Sequence, residues 1–166
     1  MQFTERGLQM TRKLAIKSKY DGATAEKISL LPENELVQYA DELIAWCSDP
    51  NTSPAMYLIP TAVAHPKLMV APVNRLIVQL STNESKLDYD GIRNVLLAVV
   101  SRWPIECVAP LAPSLDALLR ATNIPDEDKE VLGAVSFLIV KFQLDVTDDM
   151  MAYARRIVEA HPHWLP

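Results

Sequence analysis

The chain has 166 residues, 49% of them hydrophobic and 22% charged, with a formal net charge of −5. Its apolar fraction excludes a disordered chain, which cannot offset its ordering entropy by burial. At 18.6 kDa one domain buries roughly 70% of the unfolded surface, so no disulfide or metal staple is needed. The longest weakly polar runs, residues 95–100 and 134–140, are far shorter than the roughly 20 residues of a membrane-spanning helix.

In chain order, the first predicted element is a helix from Thr4 to about Tyr20, where Arg6, Arg12, Lys13, Lys17 and Lys19 surround Leu8, Leu14 and Ile16. So many charges leave no apolar core for a secretory signal, and a cytoplasmic protein is expected. A short helix follows over about 23–30, and residues 1–30 together read as polar N-terminal capping helices.

Between residues 31 and 143 the pattern repeats with a period near forty residues. Pro32, Pro72 and Pro113 each stand before an apolar helical run, and proline suits a first turn because its missing N–H has no intrahelical partner there. After each such helix comes a second one. Ile92, Val95, Leu96, Val99, Val100 and Trp103 form a helical stripe, and 39 residues later Val131, Ala134, Val135, Leu138, Ile139 and Phe142 repeat it. Earlier in the chain Tyr57, Leu58 and Ala62 take the same places, and His65-Pro66 aligns with Trp103-Pro104. A closing helix is expected over 147–160, opened by Thr147, Asp148 and Asp149.

These proline-marked helix pairs resemble HEAT-type repeats across residues 31–143. The resemblance implies a single all-α domain spanning 1–166, a small right-handed α-solenoid of about three antiparallel pairs with extra terminal helices. It departs from the HEAT pattern in one respect: Asp116 sits inside a first helix, but no arginine recurs at a fixed place in the second helices.

Charge is unevenly distributed. Residues 1–20 carry five basic side chains against one acidic, which leaves the remainder near −9. Such a body repels a phosphate backbone and argues against nucleic acid as a partner. The turns inside each helix pair are the acidic ones, holding Asp49, then Glu84, Asp88 and Asp90, then Asp126, Glu127 and Asp128, against Lys86 and Lys129. One carboxylate per helix start serves as a cap. Three in each of the last two turns exceed that need and suggest a surface that steers a basic protein partner. Met56 and Tyr57, at the start of a second helix beside the Asp49 turn, are the candidate apolar anchors.

Signs of chemistry are sparse. Glycine-rich phosphate loops, GxSxG and HExxH are absent from the sequence, and no cofactor is implied. Glu84, Asp88 and Asp90 lack the central glycine and terminal glutamate of a calcium loop. His161 and His163 bracket Pro162 with no third ligand nearby, and Cys47 and Cys107 read as reduced core thiols. The expectation is a non-enzymatic protein-binding module, possible kinds being an immunity protein that neutralises a basic toxin such as a nuclease, or a scaffold subunit. The alternative is a HEAT-like protein holding nucleic acid in a basic groove built from Arg75, Arg93, Arg102 and Arg120.

Overall fold

A computed structural model describes residues 14–82 and 88–165. Every regular element among them is helical. The α-helices are α1 (Gly22–Ser29), α2 (Glu33–Leu36), α3 (Ala40–Trp46), α4 (Ser53–Ala64) and α5 (Pro66–Ser81), then α6 (Tyr89–Ala98), α7 (Ile105–Val108), α8 (Ala112–Leu119), α9 (Glu130–Phe142) and α10 (Asp148–Ala160). Single 3-10 turns join α2 to α3 and α7 to α8, so residues 33–46 and 105–119 each act as one broken helix. In the second of these, Pro110 and Pro113 remove N–H donors from the ladder, which accounts for the break.

Two of the expected boundaries need correction. The predicted N-terminal helix does not extend over residues 14–20, and its earlier part lies outside the described residues. Instead the Leu14 N–H donates to the Tyr39 hydroxyl at 2.9 Å and the Ile16 N–H to Glu42 Oε1 at 3.4 Å. Leu14 and Ile16 thus satisfy their N–H groups on side chains of later residues rather than in a helical ladder. Its end is fixed by Asp21, whose Oδ1 accepts the Thr24 N–H as the N-cap of α1. Pro72, in turn, does not open a helix but lies inside α5, which begins at Pro66. Helices start directly behind Pro32, at Pro66 and directly behind Pro104, while Pro113 falls within the broken helix. The expected alignment therefore sets Pro32 against the wrong proline of α5.

Packing joins helices distant in the chain as well as consecutive ones. Helix α5 lies between α3 and α8, α4 packs on α1, and α9 packs on α6, α8 and α10. Alanines and aliphatic residues from α1 to α10 form one continuous core. Helix α9 is buried over most of its circumference, from Val131 through Ser136 and again at Leu138 and Ile139, as expected of a helix enclosed by neighbours.

Polar contacts also cross this packing. Arg75 of α5 donates to Asp41 of α3 at 2.6 Å, and Ser114 of α8 donates to Asn74 of α5 at 2.6 Å. The end of α4 leaves the Ala62 carbonyl without a helical donor, because the residue four positions on is Pro66. Trp103, 41 residues later, supplies its indole N–H to that carbonyl at 3.1 Å. Lys141 Nζ donates to the Ser101 carbonyl at 2.6 Å. Donors that follow α6 and end α9 thus serve carbonyls at the end of α4 and just after α6.

Candidate functional site

The two acidic turns around α6 and α9 are built differently. Asp88 precedes α6 with an extended backbone, and its Oδ1 accepts the Gly91 N–H at 2.7 Å. Asp90 stands exposed in the first turn. Both placements satisfy the free N–H groups and positive end of α6. Asp126, Glu127 and Asp128 instead fill a single 3-10 turn after Pro125, with no side-chain cap. Asp126 pairs with Lys129, whereas the side chains of Glu127 and Asp128 make no hydrogen bond or ion pair among the described residues. Capping accounts for Asp88 but not for these two.

Since α6 packs against α9, the two turns come together. Partial burial pushes the Asp128 carboxyl above the usual aspartate value, and the negative charges of Glu127, Asp90 and Asp88 push it further in the same direction. Lys129 acts oppositely on Asp126, holding it below the ordinary value through their hydrogen bond and opposite charge. The structure therefore brings Asp88, Asp90 and Glu127 close enough for their charges to act on Asp128.

The other predicted residues lie elsewhere. Asp49 is exposed in the α3–α4 turn, where its Oδ1 accepts the Asn51 N–H at 3.0 Å; it is not among the charges acting on Asp128. Glu84 and Lys86 lie outside the described residues. Met56 is 72% exposed on α4. Tyr57 is half-buried, with its ring against Gly22 and the core. These two residues line a shallow groove with Pro60, Thr61 and His65.

Three of the arginines that would form a basic groove are engaged by carboxylates. Arg75 meets Asp41 at 2.6 Å, Arg93 meets Glu130 at 3.4 Å and Arg120 meets Asp116 at 2.8 Å. Arg102 is exposed. Among the described residues no group of three or more His, Cys, Asp or Glu side chains is placed to hold a metal ion. Both cysteines are free and buried, and burial pushes the Cys47 thiol up to about 12, where it is inert at neutral pH. No helix among the described residues is long and apolar enough to cross a membrane.

Sequence reasoning missed the C-terminal turn. Residues 162–164 form a 3-10 turn that folds back on α9. Trp164 stacks on His161 with ring centroids 3.8 Å apart, and its carbonyl accepts from Arg93 at 3.4 Å. It fits because Gly133 has no side chain, since a Cβ there would lie 2.9 Å from the indole. An isolated glycine inside an otherwise apolar helix was the available signal.

No curated protein and no solved structure matches this chain. A family model described as a domain of unknown function, DUF5071, matches residues 14–136. That span holds both acidic turns but stops within α9, short of α10 and the C-terminal turn. Because the match covers most of the chain, the protein belongs to the DUF5071 family.

Proposed function

We propose that this protein is a non-enzymatic protein-binding module, a short HEAT-like α-solenoid whose acidic edge engages a basic protein. The observation that carries the reading is the convergence of Asp88, Asp90, Glu127 and Asp128 from two separate turns, with the Asp128 carboxyl raised by burial and by its three acidic neighbours. Repulsion of this kind disfavours the free surface and is relieved when a cationic partner covers it. Helix pairs one period apart, tied by Arg75–Asp41 and Asn74–Ser114, support the solenoid part of the reading. Carboxylates at this density imitate the phosphates of a nucleic acid, so within this class an inhibitor or immunity protein covering the cationic surface of a toxin is the narrower form. Pairing of Arg75, Arg93 and Arg120 with acids weighs against a nucleic-acid groove.

The test uses the full chain and a variant carrying D88N, D90N, E127Q and D128N, in which the amide oxygen introduced at position 88 can still cap α6. Each is immobilised, and captured proteins are identified by mass spectrometry. The reading expects a protein with a basic surface on the wild type that elutes as salt rises and is retained about tenfold less on the variant. Equal retention on both would discard the edge as the contact surface.

A further inference from the structure

Ile124 and Lys129, on either side of the turn that carries Asp126, Glu127 and Asp128, line a groove of about 600 Å³. Its floor is apolar: Ile124, Leu132 and Met150 show only 7%, 8% and 8% of their surface, and Leu119 lies beneath them. Tyr153 of α10 stands at the mouth, 37% exposed, with Arg156 over its ring at 5.8 Å. Two cations border the groove, Arg120 and Lys129. Both are already paired with a carboxylate. Arg120 makes two bonds to Asp116, at 2.8 and 3.3 Å, and a third to the Thr147 hydroxyl at 3.3 Å, while Lys129 is held by Asp126.

The groove thus offers an apolar floor bordered by two ion-paired cations, with Arg156 over Tyr153 at its mouth and the carboxylates of Glu127 and Asp128 on the adjoining turn. Its volume lies within the range of sites that enclose a small molecule or a large side chain. Interfaces draw most of their energy from a few such anchors, ringed by polar contacts that exclude water. Charge complementarity selects the occupant: an uncharged side chain fits the floor, and cationic residues beside it meet the acidic turns.

We propose that this groove is the anchor pocket for the basic partner: an aromatic or large aliphatic side chain of a Lys/Arg-rich protein segment seats on Ile124, Leu132 and Met150, while its basic neighbours meet Glu127, Asp128, Asp88 and Asp90. This proposal rests on the acidic-edge reading and adds to it a location and a residue class.

The test compares two short Lys/Arg-rich peptides, one with a central tryptophan and one with glycine in its place, titrated into the full chain at low salt. NMR follows the methyl groups of Ile124, Leu132 and Met150 and the backbone amides of residues 88–91 and 126–130. The tryptophan peptide should bind about tenfold more tightly and shift methyls and amides together, whereas the glycine peptide shifts the amides alone. Thr122→Trp, which fills the groove from an exposed position, and Tyr153→Ala should each reduce the tryptophan peptide's affinity toward that of the glycine peptide. Equal affinities with no methyl shifts overturn the anchor while leaving the acidic edge intact. If neither peptide moves the amides, the edge reading fails and the anchor with it. Methyl shifts that depend on protein concentration alone overturn the proposal in favour of a second copy of this chain in the groove.

Discussion

Replacing Trp103 by phenylalanine tests whether successive helix pairs are tied as the polar contacts indicate. The indole is 3% exposed and donates to the Ala62 carbonyl, which Pro66 cannot serve. Phenylalanine keeps an aromatic ring but leaves that carbonyl buried without a donor, at a cost of about 1–3 kcal/mol. The smaller ring vacates roughly 35 Å³, and at about 24 cal/mol per Å³ this adds roughly 1 kcal/mol. Together they predict a loss of about 2–4 kcal/mol. At about 2–4 °C per kcal/mol for a chain of this size, Tm should fall by roughly 4–16 °C. Urea unfolding followed by far-UV circular dichroism measures the loss, and an unchanged m value would show that the unfolded state is the same. A change below about 0.5 kcal/mol would refute the reasoning, since it would mean that Ala62 finds another donor or that the indole is not enclosed.

Further expectations concern the C-terminal third and the acid range. Thr147→Ala removes the oxygen that accepts the Met150 N–H at the start of α10 and should cost about 1 kcal/mol in urea unfolding, with hydrogen exchange rising first in that helix. Gly133→Ala gains up to about 1 kcal/mol of helix preference but drives its Cβ into Trp164; the indole NMR signal of Trp164 should move to a solvated position while α9 stays folded. The lowered carboxyls of Asp21 and Asp126 contribute stability that is complete above the ordinary aspartate pKa and lost as pH falls through their folded values. Asp128 has the opposite sign: its raised folded value means that protonation favours the native state, so Asp128→Asn should raise stability at neutral pH relative to the wild type and lose that advantage on acidification.

Helices α4, α6 and α9 were legible in the sequence because each carries buried apolar residues at helical spacing. Thr147 likewise marked α10 through its cap. Proline misled where several lie in one helix. Pro66 and Pro72 share α5, so matching one proline per unit slipped the register, although the His65-Pro66 and Trp103-Pro104 turns were already recognisable. Leu14 and Ile16 look helical from their spacing, yet their backbone is held by Tyr39 and Glu42, partners that no local pattern reveals. The acids of the site were equally plain in composition. Their grouping was not, because it depends on α6 packing against α9, and the groove beside them needs Met150 and Tyr153 from α10.

The proposed contact surface depends on carboxylates from two turns acting on one another. Carbon-13 NMR titration of the Asp128 carboxyl, in the wild type and in a D88N/D90N variant, measures this directly. The wild-type midpoint should lie above the ordinary aspartate value of 3.8 and move down when Asp88 and Asp90 lose their charge. A midpoint at or below that value, or one that ignores the two substitutions, would contradict it.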